Sequence, residues 1–403
     1  MSDRKANGVA GRAASDDTVK LIGDVAADAG LRRIHILSWR DLADVEAGGS
    51  ELHAATIAEI WARAGVEVTL RTSYAQGHPP TAERDGYHVI RRAGRYMVFP
   101  RAVLSELRGR HGERDGLVEI WNGMPFFSPV WCRGPRMVWL HHVHGPMWNM
   151  TLPDNLARLG LLLEERIAPR VYRRSAIVTL SRSSKAELVD ELGFGADGIH
   201  VVPPGIDPAF SPGGAVSATP LAVAVGRLVP VKRFDSLIRC MAEVRHRVPQ
   251  ARLIIVGEGY ERDALEELIR SLDAEDWVTL PGRIGDDELV DLYRSAWLVA
   301  SSSVREGWGM TITEAAACGT PAVATRIAGH LDAVVDGVSG LLAPDDRALA
   351  DSLAAVLSDR HLRDTLGRGA LAHAANFTWE STALGTMSVL AADARRRGHP
   401  ARS

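Results

Sequence analysis

The sequence predicts an α/β protein built from two doubly wound, Rossmann-like domains. Short β-branched or apolar runs alternate with helical patterns along nearly the whole chain, which is typical of parallel sheets with crossover helices. The alternation stops once, in a cluster of prolines and glycines between positions 203 and 212, and then restarts. The length of 403 residues suits two or three domains.

Composition narrows the class of protein. Hydrophobic residues make up 46% of the chain and charged residues 24%, with a formal net charge of −3, which disfavours a nucleic-acid binder. Cys132, Cys240 and Cys318 are too far apart for a zinc site or a disulfide framework. No apolar run approaches the length of a membrane span. We therefore expect a cytoplasmic globular protein with reduced thiols.

In the first half of the chain, the sequence predicts a leader followed by one domain. Residues 1–30 are polar and rich in alanine and glycine, so we expect a flexible leader there and a first Rossmann-like domain over residues 31–204. Helices are predicted at Ser50–Ala64, Leu156–Tyr172 and Ser183–Leu192. The predicted strands are Ile34–Ser38, Val66–Arg71, Leu117–Ile120, Met137–Leu140, Ala176–Leu180 and Ile199–Val202.

The second half predicts a second domain over residues 205–375. A last helix, Trp379–Ala391, lies in the remaining 376–403 segment, which we expect to pack back on the first domain. Helices are predicted at Phe234–Arg245, Glu261–Leu272, Asp286–Arg294 and Thr311–Cys318. The predicted strands are Leu221–Val225, Leu253–Val256, Val278–Leu280, Trp297–Ala300, Ala322–Ala324 and Gly340–Leu342. Because such sheets bind ligands at the carboxyl ends of their strands, we expect a ligand cleft.

A basic loop follows the first strand of the second domain. Gly226, Arg227 and Lys232 lie between that strand and a helix, and two cations five residues apart suit a diphosphate. Two solvated surface cations are the alternative. The chain has only four lysines, and Lys232 stands in a loop with a glycine and a proline. We therefore favour the phosphate site.

An acidic pair brackets a glycine-rich turn. Gly307 and Gly309 let backbone amides approach a ligand, and the N-terminus of the following helix adds partial positive charge. Glu306 can then accept hydrogen bonds from sugar hydroxyls, and Glu314, by spacing about two turns into the helix, from a ribose diol. Stabilisation of the helix dipole is the alternative, but it explains one early glutamate and not the pair.

These motifs together resemble the GT-B glycosyltransferases, specifically glycosyltransferase family 4. Three segments carry the resemblance. In chain order they are Pro203-Pro204-Gly205-Ile206-Asp207 at the linker, Gly226-Arg227 with Lys232, and the pair Glu306–(x)7–Glu314, which continues into Ala-Ala-Ala-Cys-Gly-Thr-Pro-Ala-Val. The resemblance covers roughly residues 33–393, and the more specific motifs lie in the second half.

The resemblance implies a donor site for a nucleotide-diphosphate sugar in the second domain, and it makes the first domain, residues 31–204, the acceptor domain. Arg227 and Lys232 would neutralise the diphosphate, Glu306 would touch the transferred sugar, and Glu314 the ribose. Arg283, in a Pro-Gly-Arg segment, would press against the base. The other donor-binding residues that it implies are Gly226, Gly257, Glu258, Gly307, Trp308, Gly309 and Met310.

Two features of the first domain complete the predicted site. Gly48 and Gly49 open a helix and can admit a phosphate or sugar oxygen to their amides, and the resemblance assigns them to the donor phosphate. His141, His142 and His144 follow a strand. Their spacing lacks a fourth ligand for zinc, so we expect one functional histidine and no metal. The resemblance favours His141 beside the transferred sugar, with His142 and His144 as the alternatives.

A cationic stretch runs from Arg91 to Arg114, with seven arginines interleaved with apolar residues. Such a stretch can rest on an anionic membrane or hold an acidic acceptor, and a solvated helix face is the alternative.

The resemblance implies a retaining hexosyltransferase that acts without a metal or other cofactor. Mannose, glucose or N-acetylglucosamine would pass from the nucleotide sugar to a glycan, glycolipid or small-molecule hydroxyl. His141, Glu306, Arg227 and Lys232 would be the catalytic residues. The alternatives are a GT-B nucleotide-sugar epimerase and a non-catalytic nucleotide-sugar-binding protein.

Overall fold

The chain forms two compact α/β units. The computed structural model describes residues 14–145, 147–148 and 153–399. One unit, the second domain, is Ile206–Phe377; the other, the first domain, combines the described residues of 3–205 with those of 378–403. The chain therefore leaves the first domain at the predicted linker and returns to it for its last helix.

The first domain is built on an eight-stranded sheet. Its strand order is β3-β4-β2-β1-β5-β6-β7-β8, and all pairings are parallel except that of β3 with β4. The strands are β1 (Arg33–Leu37), β2 (Glu67–Thr72), β3 (Thr81–Arg84), β4 (Tyr87–Arg91), β5 (Gly116–Trp121), β6 (Arg136–Leu140), β7 (Ala176–Thr179) and β8 (Ile199–Val201). Strand order reverses between β1 and β5, which makes their carboxyl ends the switch point of this sheet.

Eight helices of the described chain belong to this domain. They are α1 (Asp16–Asp28), α2 (Gly49–Arg63), α3 (Val98–Leu107), α4 (Ser128–Trp131), α5 (Asp154–Leu162), α6 (Ala168–Tyr172), α7 (Arg182–Asp190) and, after the second domain, α15 (Trp379–Arg396). A π-helical turn, Leu163–Ile167, joins α5 to α6.

The predicted leader is wrong where the structure describes it. Residues 1–13 lie outside the described residues, but α1 begins at Asp16 behind a Ser15 cap and packs on α15. Ile22 and Ala26 are buried one helical turn apart, so an apolar stripe was present within the polar composition.

The strands β3 and β4 and the helices α3 and α4 of this domain were also missed. The hairpin β3–β4 and the helix α3 lie in the region between the second and third predicted strands. Their short apolar runs are interrupted by arginines that the fold buries in ion pairs: Arg84 and Arg91 lie 2.9 Å and 3.3 Å from the carboxylate of buried Asp41.

The second domain has a six-stranded parallel sheet in the order β11-β10-β9-β12-β13-β14. Its strands are β9 (Leu221–Val225), β10 (Arg252–Val256), β11 (Val278–Gly282), β12 (Leu298–Ser301), β13 (Ala322–Thr325) and β14 (Gly340–Ala343). Its helices are α8 (Phe234–Arg245), α9 (Arg262–Ser271), α10 (Asp286–Ser295), α11 (Met310–Ala317), α12 (His330–Ala333), α13 (Asp346–Ser358) and α14 (Arg360–Ala374).

This sheet has the 3-2-1-4-5-6 order of a dinucleotide-binding fold when its strands are counted from β9. All twelve predicted strands of the two sheets are present, with ends displaced by two residues or fewer. Helices α12, α13 and α14 were missed, although Asp345 and Asp359 cap α13 and α14 through their side chains.

Candidate active site

The predicted donor residues gather at the switch point of the second sheet. Strand β9 lies between β10 and β12, so the loops that follow β9 and β12 leave the sheet side by side. Hydrogen bonds join these loops: Ser302 Oγ donates to the carbonyls of Lys232 (2.8 Å) and Arg233 (2.9 Å), and the Val304 amide donates to Val231 (2.9 Å).

The loop after β9 is held from its other side by the loop after β10. The Gly226 amide donates to the Val256 carbonyl (3.0 Å), and the Leu228 amide donates to Glu258 (3.0 Å). A Cβ on Gly257 would stand 1.8 Å from the Gly226 carbonyl oxygen, so only glycine permits this approach. The close contact positions the Arg227 backbone, and the Arg227 side chain is half-buried.

Lys232 and Glu306 meet across the switch point as an ion pair. The Lys232 ammonium contacts Oε1 of Glu306, and the two side chains are 21% and 18% exposed. The Lys232 stem crosses over Gly226, where a Cβ would stand 3.1 Å from Cε. An ammonium has three N–H donors, so one contact with Glu306 leaves capacity for phosphate oxygens.

The environment of Glu306 keeps its carboxyl ionised. Burial raises the pKa of Glu306, but Lys232 and the Ser303 hydroxyl, which donates to Oε1 at 2.8 Å, bring that pKa down to about 2. His330 is fully buried nearby, and burial lowers its pKa despite the attraction of Glu306. Its Nδ1 donates to the Thr325 carbonyl (2.8 Å), which fixes the neutral tautomer.

The glycine turn after Glu306 leads directly into α11. Gly309 has φ of +99° and caps the helix that begins at Met310, so Gly307 lies in the turn and Met310 is the first helical residue. Their contact with a donor stays a prediction. Gly329 (φ +85°) packs from below: a Cβ there would stand 2.6 Å from the Glu306 carbonyl oxygen. This second glycine, which sequence reasoning missed, permits the close packing that supports the turn.

The side chain of Trp308 is buried. Its indole is 3% exposed, lies 4.9 Å from the Phe377 ring, and donates from Nε1 to Thr313 (3.3 Å). The flanking glycines thus turn the indole into the domain core, so a donor would meet the Trp308 backbone rather than its side chain, and this contact stays a prediction.

Glu314 is half-buried in the middle of α11, next to a buried tyrosine. It is the fifth residue of the helix, a little over one turn in rather than two, because the helix begins only at Met310. Tyr293 Oη donates to its Oε2 (3.3 Å), and burial together with Glu314 raises the pKa of Tyr293 well above its usual value. Tyr293 was missed because it lies 21 residues away, on α10.

Glu258 and Arg283 lie at the neighbouring strand ends. Glu258 is paired with Arg262 (3.2 Å), and Arg262 also donates to the Leu280 carbonyl (2.9 Å). Arg283 follows β11 directly and is exposed. The two predicted residues thus lie on the same edge as Lys232, but their role toward a base stays a prediction.

In the first domain, Gly48 and Gly49 start α2 as predicted. The Gly48 amide already donates to the Glu51 carboxylate (2.8 Å), so a phosphate would compete with Glu51 for it. Asn122, directly after β5, donates from its side chain to Ser50 Oγ (3.1 Å) and so joins the end of β5 to the start of α2. Asn122 carried no signal in the sequence.

His141 follows β6 and is buried, whereas His142 and His144 are half-exposed and their rings stack 4.8 Å apart. The following loop is held by Glu164 from the π-helical turn: its carboxylate accepts from the amides of His144 and Gly145 (both 2.8 Å) and from Trp148 Nε1 (3.0 Å). Which histidine acts on a ligand stays a prediction, with His141 favoured.

The described residues contain no cluster of three or more His, Cys, Asp or Glu side chains able to hold a metal ion. The three cysteines are buried and unbridged. Of the helices in the described ranges, none is long and apolar enough to cross a membrane.

The protein is an α/β protein with two Rossmann-like domains, and most of its predicted donor residues lie at one edge of the second sheet. A model of "Glycosyl transferases group 1" matches residues 208–373, and one of "Glycosyltransferase Family 4" matches residues 47–210. The chain is 32% identical to a D-inositol 3-phosphate glycosyltransferase from Kineococcus radiotolerans, over 85% of this chain and 90% of that protein. It is 31% identical to the protein of that name from Salinispora arenicola, over 85% and 87%. The protein belongs to the family 4 glycosyltransferases.

Solved structures show the same GT-B fold. Sucrose-phosphate synthase from Thermosynechococcus elongatus has a TM-score of 0.76 at 22% identity, covering 88% of this chain and 97% of that one. HepE from Anabaena, solved with UDP-glucose, has a TM-score of 0.69 at 20% identity, covering 88% and 98%. The glycosyltransferase WaaG has a TM-score of 0.70 at 17% identity, covering 89% and 99%.

Proposed function

We propose that the protein is a retaining hexosyltransferase that uses a nucleotide-diphosphate sugar of the mannose, glucose or N-acetylglucosamine class. The observation that carries the proposal is the Lys232–Glu306 pair at the switch point, with Glu314 on the helix that follows. This edge offers a cation for a diphosphate and two carboxylates for hydroxyls, and a nucleotide sugar carries both kinds of group. HepE, which shares the fold, was solved with UDP-glucose, which supports this class of donor.

The donor diphosphate is held by cations in this proposal. Lys232 has N–H donors beyond the one that meets Glu306, and Arg227 lies in the same loop. The amides from Gly307 to Met310, at the N-terminus of α11, supply further donors. The half-buried Glu314 accepts from the ribose hydroxyls, and the ionised Glu306 accepts from the transferred sugar.

Catalysis then depends on stabilising the leaving diphosphate. Negative charge grows on the phosphate as the glycosidic bond breaks, and fixed cations that meet this charge lower the barrier. Because Lys232 and Arg227 supply that charge, we propose that no metal is required. With no covalent nucleophile assigned, departure and attack on one face, with the phosphate accepting the acceptor's proton, give retention.

The acceptor is proposed to be a hydroxyl of a glycan, a glycolipid or a small molecule. The relatives named D-inositol 3-phosphate glycosyltransferases make phosphorylated polyols the first small molecules to test. His141, with its buried neutral imidazole, is proposed to hydrogen-bond the transferred sugar.

A peripheral contact with an anionic membrane is proposed for α3 at the cytoplasmic face. Tyr96, Met97, Leu104 and Leu107 are exposed on and beside this helix. Not all of the predicted arginines contribute, because Arg91, Arg95 and Arg114 are engaged by Asp41, Glu46 and Glu106. The exposed arginines are Arg92, Arg101, Arg108 and Arg110. Exposed cations beside exposed apolar side chains suit an anionic lipid surface.

Vesicle sedimentation tests the membrane contact. The double variant Leu104→Ser/Leu107→Ser should lose binding to vesicles containing phosphatidylglycerol, whereas Leu371→Ser, an exposed leucine of the second domain, should keep it. Equal binding by the parent to neutral and anionic vesicles at low salt would exclude the arginine contribution.

Donor screening tests the main proposal. A panel of nucleotide sugars, scored by thermal shift and then by transfer to polyol and glycan acceptors, should give one donor class, and the anomeric proton coupling of the product should match the donor configuration. Inversion would overturn the retaining assignment. Rearrangement of donor alone would indicate the epimerase alternative, and binding without turnover of any acceptor would indicate the non-catalytic one.

A further inference from the structure

A second surface of exposed apolar side chains lies in the first domain, along the segment from α5 to α6. Helix α5, the π-helical turn and α6 follow one another without a break. Leu156, Leu159 and Leu162 are 48%, 49% and 50% exposed, and Ile167 is 38% exposed. Four large apolar side chains on one short segment form a patch, in contrast to the scattered exposed leucines that are normal on protein surfaces.

These side chains share one face because the π-helical turn continues the apolar stripe of α5. Residues three apart in an α-helix are neighbours on its surface, which groups Leu156, Leu159 and Leu162. In a π-helical turn the hydrogen bonds join residues five apart, so Ile167 follows Leu162 on that face. The other side of the segment is buried and comprises Ala157, Gly160, Glu164, Ala168, Pro169 and Tyr172.

The charged side chains beside this stripe are mostly cations. From the start of α5 to the two residues after α6, the exposed charged residues are five arginines and two acids: Arg158, Arg166, Arg170, Arg173, Arg174, Asp154 and Glu165. The third acid, Glu164, is turned inward to the loop after β6. Arg158 and Arg170 donate to backbone carbonyls of the segment (3.3 Å and 2.6 Å), and these bonds do not neutralise their charge. The exposed side of the segment therefore combines apolar surface with an excess of positive charge.

Helix α4 connects this surface to α3. Phe99 and Val103 of α3 pack in one core cluster with Trp131 of α4, and α4 in turn contacts α6. Val130 of α4 is 72% exposed and adds apolar surface between the two. A large partner that covers the outer side of α3 therefore meets α4 and the α5–α6 segment next.

We propose that the α5–α6 segment is a second docking surface for an anionic lipid bilayer, beside the contact proposed for α3. The apolar side chains would enter the boundary between head groups and acyl chains, and the arginines would meet lipid phosphates. A symmetric contact with a second copy of the chain would bring the same arginines against one another, which disfavours that occupant. The inference extends the proposed membrane contact and is independent of the proposed hexosyl transfer.

An environment-sensitive dye at position 159 tests the contact of this surface directly. The native cysteines are buried, so Leu159→Cys provides an exposed thiol for labelling. Vesicles of phosphatidylcholine and phosphatidylglycerol should shift the dye emission to shorter wavelength, and vesicles of phosphatidylcholine alone should shift it much less. The same dye in Leu371→Cys, on the exposed surface of the second domain, should show no shift. Unshifted emission at position 159, in protein that sediments with the vesicles, would overturn the inference.

Two double variants then separate the apolar and the charged contributions. Leu159→Ser/Leu162→Ser should lower the partition coefficient for the anionic vesicles by about tenfold or more, because two exposed leucines no longer enter the bilayer. Arg166→Gln/Arg170→Gln should lower it by about tenfold at low salt and by much less at high salt. Because the changed side chains are exposed, Tm should stay close to that of the parent.

The alternatives give different results. Vesicle binding by Leu159→Ser/Leu162→Ser equal to that of the parent, with binding lost in Leu104→Ser/Leu107→Ser, would limit the membrane contact to α3 and overturn the inference. A parent that is dimeric in sedimentation velocity without vesicles, with Leu159→Ser/Leu162→Ser monomeric, would assign the surface to a second copy of the chain instead. Transfer to a water-soluble acceptor should be unchanged in these variants, so failure of the inference leaves the proposed hexosyl transfer standing.

Discussion

Replacing Lys232 with glutamine separates its two roles, as partner of Glu306 and as phosphate ligand. The pKa of Glu306, about 2 against a usual 4.5, corresponds to about 3 kcal/mol of preference for the ionised form. Lys232 is the largest of the interactions that lower this pKa against burial. In Lys232→Gln the largest of these interactions is lost, so the pKa of Glu306 should rise.

The sign of the stability change follows from linkage. A carboxyl whose folded pKa is depressed contributes stability above its unfolded pKa of about 4.5, and this contribution is lost as pH falls toward 2. About 2 of the 3 kcal/mol should be gone by pH 3. The destabilisation of Lys232→Gln relative to the parent should therefore be largest near pH 7 and should shrink between pH 5 and pH 3.

In Lys232→Gln, the loss of turnover should be larger than its loss of folding stability can explain. Losing one fixed cation at a leaving phosphate should lower kcat/KM by about 10²- to 10³-fold. Urea unfolding of the second domain and initial rates at saturating acceptor measure the two effects. Arg233→Gln is the matched control, because Arg233 is the adjacent cation but is bound to Asp346 and Ser236.

Two results would refute this account of Lys232. One is a kcat/KM for Lys232→Gln within about threefold of the parent, which is smaller than the loss of a single charged phosphate contact. The other is a destabilisation that does not change between pH 7 and pH 3, because the Glu306 carboxyl would then not depend on Lys232 for its ionised form.

Three other changes test the rest of the site. Tyr293→Phe removes one donor to Glu314 and should weaken binding of the cognate nucleotide diphosphate by about 1 kcal/mol in calorimetry, with unchanged affinity arguing against the ribose role. Gly329→Ala should lower both Tm and kcat because its Cβ would meet the Glu306 backbone; Gly337→Ala, also at positive φ but in open space, should lower Tm only slightly and spare kcat. Full activity should survive EDTA, whereas a loss restored by magnesium or manganese would contradict the cation role of Lys232 and Arg227.

Local signals located the strands and the loops that follow them. Glu306 and Glu314 were singled out because a glycine turn between a strand and a helix can be recognised within ten residues of sequence. The sequence did not show that the Trp308 indole in the same turn is buried, because its orientation depends on the distant Phe377 and on the left-handed Gly309. Helix α1 was misread because composition outweighed its apolar stripe at Ile22 and Ala26.

Those local signals could not predict which distant residues would meet. Lys232 and Glu306 are 74 residues apart, and they meet because strand order sets β9 beside β12. The buried contact between His53 and His141 joins residues that are 88 apart in the chain. The carboxylate of Glu164, which holds the loop after β6, is placed there by a π-helical turn. Short-range periodicity and turn chemistry act within one or two elements, so the amino-acid sequence alone determined the two Rossmann-like domains, whereas the donor role of its motifs stays a prediction. Burial, and with it charge state, tautomer and partner, arises only when distant elements pack and exclude water, so the folded chain decided how those residues work together.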